Sequence, residues 1–181
     1  MTSADEFTEF AAAASPRLRR TAFLLCGDWQ AAEDLAQATL AKVFVSWRRI
    51  SRRDAALAYA TRTLANTYLA DRRRRRVEEL LTSRTPDRPA ETGTPELRIM
   101  VLDALAALSP KARAIVVLRY WEDLSVEQVA ALLGCSPGNV KSQSARSLDK
   151  LRALLSGAIA AADPRAPTPG KRPETGGSRH G

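Results

Sequence analysis

The chain is poor in the residue types that most often carry out chemistry. Of its 181 residues only one is histidine, His180 in a glycine-rich end, so the usual general base and metal ligand is missing from the body of the chain. The two cysteines, Cys26 and Cys135, are far apart and form no C-x-x-C pair, which argues against a zinc site or a disulfide framework. A glycine-rich phosphate loop and a nucleophile with an adjacent base are also missing. We therefore expect no cofactor and no enzymatic activity.

Long apolar runs are absent too. No stretch approaches the roughly 18 apolar residues that a membrane span needs. The first ten residues, MTSADEFTEF, are acidic and lack the apolar core of a secretory signal. The sequence therefore predicts a cytoplasmic protein without membrane insertion.

The sequence contains no extended alternation of apolar and polar residues, which is the pattern of a β-strand. The apolar fraction is 45% and rich in alanine, which favours helices. The formal net charge is +8, and a basic surplus of this size indicates a polyanionic partner, nucleic acid first and an anionic membrane surface second. The membrane alternative is weaker because no strongly amphipathic helix with bulky apolar anchors adjoins the arginines.

Proline and glycine divide the chain into two helical parts. Residues 5–76 have a helical pattern, whereas residues 77–95 contain three prolines and a glycine and are predicted to be a linker. Residues 96–156 are predicted to be helical again, and residues 157–181, rich in proline and glycine, to be a disordered tail. The expected fold is all-α, with two small helical domains joined by a flexible linker.

The stretch LSVEQVAALLGCSPGNVKSQ predicts two capped helices joined by a tight turn. Ser125 and Gln128 have the spacing of a capping box at the start of the first helix. Gly134 supplies the left-handed residue that ends it. Ser136 and Pro137 begin the second helix, because serine caps a helix and proline fits its first position. This pattern is typical of a helix-turn-helix whose second helix enters the major groove of DNA.

The outer face of the second predicted helix is polar, basic and built largely of small residues. Small side chains allow the backbone to approach a duplex, and Lys and Arg contact phosphates or guanine edges. The alternative is a plain pair of helices with a solvated outer face. The capped starts, the glycine turn and the basic charge favour DNA binding. The predicted contacts are Ser136, Gly138, Asn139, Lys141, Ser142, Ala145 and Arg146.

A polar stripe lies in the segment GDWQAAEDLAQATLAKVF, in the first half of the chain. Acidic residues on a basic protein either face solvent or form a docking face for a protein partner, and the residues alone leave both readings open. The stripe consists of Glu33, Asp34, Gln37 and Ala41.

Three segments resemble the extracytoplasmic-function (ECF) class of bacterial sigma factors, within the sigma-70 family. They are AAEDLAQ, AYATRTLANTYLADRRRRR and LSPKARAIVVLRYWEDLSVEQVAALLGCSPGNVKSQSARSLDKLR, and they follow the family's order over residues 7 to about 155. The resemblance implies a region 2-like domain over 5–76 and a region 4-like domain over 96–156. It also implies a monomer that binds core RNA polymerase and promoter DNA, directs transcription initiation, and pairs with an anti-sigma factor, as is common in this class.

The resemblance also implies roles for residues. Asp34 and Gln37 match the surface that docks on the clamp helices of the polymerase, where Ala38 departs from a pattern that often has Glu. The first domain reads and helps to melt the −10 element, and the second reads the −35 element. On the −10 helix, Tyr59 stands where many relatives have Trp, and an aromatic ring, an amide and guanidinium groups suit unpaired bases. The predicted −10 contacts are Tyr59, Arg62, Asn66, Arg72 and Arg73.

The run of five arginines at the end of this helix, Arg72 to Arg76, needs a reason. Adjacent guanidinium groups repel one another and weaken a helix. Phosphates next to the separating DNA strands would neutralise them and make binding strongly salt-dependent. The alternative is the solvated start of a linker.

A stand-alone transcriptional regulator is the other function that the residues allow. It would bind duplex operator DNA through residues 96–155 alone, usually as a dimer on two-fold related half-sites. In that case the acidic stripe and the polar face around Asn66 would have no purpose.

Overall fold

The computed structural model describes residues 3–50, 55–82 and 96–162. In these ranges the regular structure is helical, as the composition predicts. The helices are α1 Ser3–Cys26, α2 Trp29–Ser46, α3 Ala56–Thr82, α4 Glu96–Ala106, α5 Pro110–Val116, α6 Val126–Leu133 and α7 Pro137–Ala162, with a 3-10 turn at Trp47–Arg49 and a wide π turn at Val117–Trp121 that continues α5.

The N-terminal unit is formed by α1, α2 and α3. Gly27, in the left-handed region at φ 76°, ends α1, and the Asp28 carboxylate caps α2 by accepting from the backbone N–H of Ala31 at 2.7 Å. Gly27 and Asp28 thus form the turn between α1 and α2. The core of this unit is apolar, with Leu18 and Leu25 of α1, Val43 of α2 and Leu64 of α3 buried.

Helix α3 is longer than the sequence predicts. We expect the helical pattern to end at residue 76 and a linker to follow, but the helix continues to Thr82, so residues 77–82 are helical. The segment that follows the arginines, VEELL, consists mainly of good helix formers. An ion pair from Arg74 Nε to Glu78 Oε1, at 3.9 Å, adds one favourable contact a turn apart. The rest of the predicted linker lies outside the described residues.

The C-terminal unit contains the predicted helix-turn-helix. Ser125 caps α6, and both hydrogen bonds of the capping box with Gln128 are formed. Gly134 ends the helix at φ 62°. The Ser136 hydroxyl accepts from the backbone N–H of Asn139 at 3.2 Å and so caps α7. The helix-turn-helix prediction is therefore confirmed down to its caps.

Helix α7 also runs past its expected end. The predicted tail begins at residue 157, but the helix continues to Ala162, so residues 157–162 are helical rather than disordered. The stretch GAIAAA contains four alanines, whose high helix propensity outweighs the single glycine. The remainder of the predicted tail lies outside the described residues.

The left-handed glycine between α6 and α7 generates a stability prediction. Gly134→Ala should lower the free energy of unfolding by about 1–2 kcal/mol, because an L-residue is strained at positive φ. No neighbour lies within 4 Å of an added Cβ, so a steric clash does not contribute. Urea unfolding of the full chain measures the difference.

Gly138→Ala is the matched control for this prediction. Its Cβ would also meet nothing within 4 Å, and Gly138 has no positive φ. Alanine should therefore be neutral or stabilise α7, by up to about 0.5 kcal/mol. Equal losses in the two variants would contradict the explanation by backbone strain.

Candidate nucleic-acid and polymerase interfaces

The N-terminal half of α7 has one buried side and one exposed side. Val140, Ser144 and Ser147 are buried against the rest of the C-terminal unit. Leu148 and Leu151, further along the same side, are half-buried. The seven residues predicted to contact DNA all lie exposed on the opposite side: Ser136, Gly138, Asn139, Lys141, Ser142, Ala145 and Arg146.

Hydrogen bonds along the exposed side order its polar groups. The Ser142 hydroxyl donates to the Asn139 carbonyl at 3.1 Å, and Arg146 Nε donates to the Ser142 carbonyl at 3.3 Å. The Arg146 side chain is therefore held along the helix axis. With Lys141 also exposed on this side, the surface is polar, cationic and free of bulky apolar groups, which suits a groove of duplex DNA.

The outer face of α3 brings together an aromatic ring, an amide and guanidinium groups. Tyr59 is 38% exposed, and Arg62, Asn66 and Arg73 are exposed. Thr63 lies among them, half-buried, and donates to the Tyr59 carbonyl at 2.8 Å. The face that spacing predicts is therefore present, with groups that can stack on bases, hydrogen-bond their edges and contact phosphates.

Arg72 does not lie on this face. Its guanidinium is 5.5 Å from the ring centroid of Tyr68, and it lines a groove together with Cys26 and Asp34. Because successive residues turn by about 100° around a helix, a continuous run of arginines cannot share one side. Arg73 points with Tyr59, whereas Arg72 and Arg75 line the groove on the side of α2.

The groove also holds two groups that ionise with difficulty. Burial raises the pKa of the Cys26 thiol to about 11, although the positive charges of Arg72, Arg113 and Arg75 act in the opposite direction. Burial likewise raises the pKa of the Tyr68 hydroxyl. Cys26 is therefore a protonated, weakly reactive packing residue.

The outer face of α2 contains the predicted docking residues. Asp34, Gln37 and Ala41 are exposed, and the Gln30 amide donates to Asp34 at 3.3 Å. Glu33 differs from them, because it is half-buried and forms an ion pair with Arg19 of α1 at 2.5 Å.

Two apolar residues on this face are missed by the sequence reasoning. Phe44 is 54% exposed and Val45 83% exposed, one helical repeat beyond Ala41. The Phe44 ring contacts that of Phe7, with centroids 4.9 Å apart, so it is held in place while remaining accessible. Their exposure could have been predicted from the sequence. Phe44 and Val45 follow Ala41 by three and four residues, as Ala41 follows Gln37 by four, so they lie on the same face of α2. Exposed large apolar side chains next to a polar stripe indicate a protein-binding surface.

The described parts of the chain contain neither a metal-binding cluster nor a membrane-spanning helix. None of their His, Cys, Asp and Glu side chains form a group of three or more that could hold a metal ion. Of the helices in these parts, none is long and apolar enough to cross a membrane. The fold and these surfaces together define a two-unit helical DNA-binding protein with an additional protein-binding face.

Comparison with known proteins identifies the family. The chain matches the Sigma-70 region 2 model over residues 10–78 and the Sigma-70 region 4 model over residues 98–151. It is 39% identical over 152 residues to the RNA polymerase sigma-E factor of Streptomyces coelicolor, covering 83% of this chain and 86% of the relative. It is 31% identical over 145 residues to the ECF RNA polymerase sigma factor SigL of Mycobacterium tuberculosis, covering 76% and 82%.

A solved structure agrees with these relatives. The sigma factor RpoE of Bartonella quintana, crystallised in complex with the anti-sigma factor NepR, superposes with a TM-score of 0.68 at 28% sequence identity. The match covers 83% of this chain and 96% of that one. The chain therefore belongs to the sigma-70 family, in its ECF class. It is a transcription initiation factor that binds core RNA polymerase and directs it to promoters.

The groove beside α3 generates a prediction about pH. Because burial raises the pKa of Cys26 and Tyr68, ionising them costs more in the folded than in the unfolded chain. Below pH 9 both groups are neutral in the folded and in the unfolded chain, and the free energy of unfolding keeps its full value. As the pH rises toward 11 the unfolded chain ionises first, so the free energy of unfolding falls. Cys26 contributes about 2–3 kcal/mol of this loss. Urea unfolding between pH 8 and 11 should show a smaller loss for Cys26→Ala than for the wild type.

Cys135→Ala serves as the control, because it removes a thiol elsewhere and leaves Cys26 and Tyr68 in place. It should lose stability with pH as the wild type does. The same pH dependence in wild type and Cys26→Ala would show that the Cys26 thiol does not contribute.

Proposed function

We propose that three helix faces divide the work of promoter recognition. The outer face of α2 docks on core RNA polymerase, that of α3 reads and helps to melt the −10 element, and that of α7 reads the −35 element. The observation that carries the proposal is the joint exposure of Tyr59, Arg62 and Asn66 on α3, in a chain of the sigma-70 family.

The −10 assignment rests on the chemistry of unpaired bases. A separated strand offers ring faces, base edges and phosphates. Tyr59 can stack on a base, Asn66 can donate to and accept from a base edge, and Arg62 and Arg73 can neutralise the backbone. Arg72, which packs over Tyr68, acts in this proposal by supporting the helix beside Asp34 rather than by touching the bases.

The docking assignment rests on a mixed surface. Asp34 and Gln37 supply charge and hydrogen bonds at one end, and Phe44 and Val45 supply exposed apolar area at the other. An apolar centre with a polar surround is the usual composition of a specific protein interface. Glu33 contributes less in this proposal, because Arg19 already pairs with it.

The remaining properties follow from these roles. We infer a dissociable cytoplasmic factor that is monomeric when free and has no enzymatic activity of its own. An anti-sigma partner is part of the proposal, because the RpoE relative in the solved structure is bound to one. Such a partner would compete for the surfaces that bind polymerase or DNA.

The polymerase-docking assignment is tested by a double substitution on α2. Asp34→Lys with Gln37→Ala should weaken binding to purified core RNA polymerase at least tenfold in a pull-down titration, because a carboxylate and an amide are replaced by a misplaced cation and a methyl group. Phe44→Ala in a separate variant should weaken it as well, through lost apolar contact.

Asp149→Lys is the matched control for this experiment. It also replaces an exposed aspartate by lysine, but on α7. The Asp149 carboxylate pairs with Arg152, only three residues further along the same helix. Binding should persist in this variant. Equal weakening by Asp149→Lys and by the α2 double substitution would contradict a specific docking face on α2.

The −35 assignment makes a prediction about salt. Lys141→Ala should reduce by about one the slope of log binding constant against log salt for the holoenzyme on promoter DNA, because one phosphate contact is lost. Lys150→Ala is the control on the same helix, since its ammonium donates to the Ala107 carbonyl at 2.7 Å within the unit. Equal slopes for wild type and Lys141→Ala would contradict a phosphate contact by Lys141.

A further inference from the structure

A cavity of about 600 Å³ lies where the C-terminal unit meets the first two helices. Phe23 of α1 and Trp29 of α2 line it from the N-terminal unit, and Leu102 of α4 and Trp121 line it from the C-terminal unit. Its volume is within the range of small-molecule sites, about 300–1,000 Å³, and such sites often lie between domains. The cavity shares no lining residue with the three helix faces proposed to bind polymerase or DNA.

Aromatic rings form much of the apolar wall of the cavity. Phe23 and Trp29 are stacked, with ring centroids 4.0 Å apart and planes inclined by 18°. Phe23 is only 4% exposed, whereas Trp29 is 40% and Trp121 51% exposed. Two large indole rings therefore remain accessible beside one cavity, and they present apolar area that a flat ligand would cover.

Two arginines bring positive charge to this apolar cavity. Arg20 of α1 and Arg98 of α4 line it, and both are exposed. The Arg98 guanidinium lies 4.7 Å from the ring centroid of Phe23 and 5.4 Å from that of Trp29, within the range of cation–π contacts. The rings thus hold Arg98 at the cavity, and a cation–π contact uses none of the five N–H donors of a guanidinium.

The charge of these arginines is not balanced at the cavity. No acidic side chain is found among the described residues that line it. Within the described ranges, neither Arg20 nor Arg98 forms an ion pair with a carboxylate. Arg19 shows the contrast, because it precedes Arg20 and pairs with Glu33 at 2.5 Å. Apolar walls with unbalanced cations favour a ligand that has an apolar body and a negative charge.

The turn that carries Trp121 fixes the position of its ring. Trp121 ends the wide π turn after α5, and the N–H of the next residue, Glu122, donates to the Val117 carbonyl at 3.1 Å. The Glu122 side chain, 2% exposed, accepts from Arg17 Nε of α1 at 2.9 Å and from the Thr21 hydroxyl. Trp121 is therefore held beside α1 before any ligand binds. Wide turns of this kind are frequent at functional sites.

A second buried contact fixes α5 on α1. Arg113, 7% exposed, donates to the Leu25 carbonyl at 2.8 Å, at the C-terminal end of α1 where the helix dipole favours a cation. Ala114 and Val117 of the same stretch are buried in the N-terminal core. The walls of the cavity are therefore held in place by buried contacts, and a preformed site loses little conformational entropy on binding.

We propose that this cavity is a binding site for a small aromatic carboxylate. The flat ring system of the ligand lies against Trp29 and Trp121, and Arg20 and Arg98 attract its carboxylate. The site is an addition to the faces that bind polymerase and DNA, and it does not depend on the roles proposed for them.

NMR of the tryptophan indole N–H groups tests the site, in a titration of the full chain with β-naphthoate. The chain has three tryptophans. The Trp29 and Trp121 signals should shift with one common dissociation constant. The Trp47 signal should not move, because Trp47 is 3% exposed within the N-terminal core. Unchanged Trp29 and Trp121 signals would overturn the proposal.

The neutral amide of the same compound separates charge from shape. β-Naphthamide has nearly the same size as β-naphthoate but no charge, so it should bind about tenfold more weakly. Added salt should reduce the difference between the two compounds. Equal affinities at low salt would overturn the proposal, because the cavity would then be a general apolar contact.

Substitution of the two arginines tests which cations attract the carboxylate. Arg20→Gln and Arg98→Gln should each lower the affinity for β-naphthoate about fivefold, and change the affinity for β-naphthamide much less. Arg19→Gln is the matched control, because Arg19 is the neighbour of Arg20 on α1 and pairs with Glu33 instead of lining the cavity. The same loss in Arg19→Gln would overturn the assignment, since the effect would then come from net charge alone.

Trp121→Ala tests the apolar wall, with the Trp29 signal as the reading. It should weaken both compounds alike, because a ring contact is lost and the charges remain. Trp121 is half exposed, so its removal leaves both cores intact. Unchanged affinities would overturn the placement of the ligand against Trp121. These measurements use neither polymerase nor DNA, so a failure of the site is distinguishable from a failure of the proposed function.

Discussion

Both units of the protein pack on the C-terminal half of α1, and the rest of the structure depends on this shared surface. One side of the helix is apolar, with Leu18 and Leu25 fully buried in the N-terminal core. Arg17, Thr21 and the Leu25 carbonyl offer polar groups to the C-terminal unit. One helix therefore combines an apolar contact within the N-terminal unit with polar contacts to the C-terminal unit.

The contacts within each unit differ in chemistry from the contacts between the units. Within each unit, large side chains such as Leu64 and Ile115 are fully buried, and their exposure would cost much apolar area. Between the units, arginines approach a carboxylate, a carbonyl and aromatic rings. These charged contacts make the seam between the units more polar than either core.

The proposed binding faces are held on helices whose inner sides are packed, which keeps their geometry stable. Tyr59 is accessible because Ala60 and Leu64 anchor α3, and Ala41 and Phe44 are presented because Val43 anchors α2. The −10 face differs from the other two in bordering the seam. Its residues Tyr59, Arg62 and Asn66 nevertheless remain exposed beside the seam.

Features that depend on neighbouring residues could be predicted from the sequence. The caps at Ser125 and Ser136, the glycine turn at Gly134 and the exposed faces of α3 and α7 all follow from local spacing and backbone preference. Local propensity was weighed incorrectly at two helix ends. Glutamate and leucine after the arginines, and alanine before Ala162, continue helices that proline and glycine further along were expected to stop.

The sequence by itself determined the helical class, the two units and the residues that could face DNA, because these depend on periodicity and on contacts within a few turns. Only the tertiary structure decided how the units meet. Arg17 and Glu122 are 105 residues apart, and nothing in the local pattern of either indicates the other. The orientation of Arg72 was also decided by the tertiary structure, because in the sequence Arg72 and Arg73 are two adjacent, identical residues. Helical rotation and the position of Tyr68 turn it away from the face that we propose to read DNA.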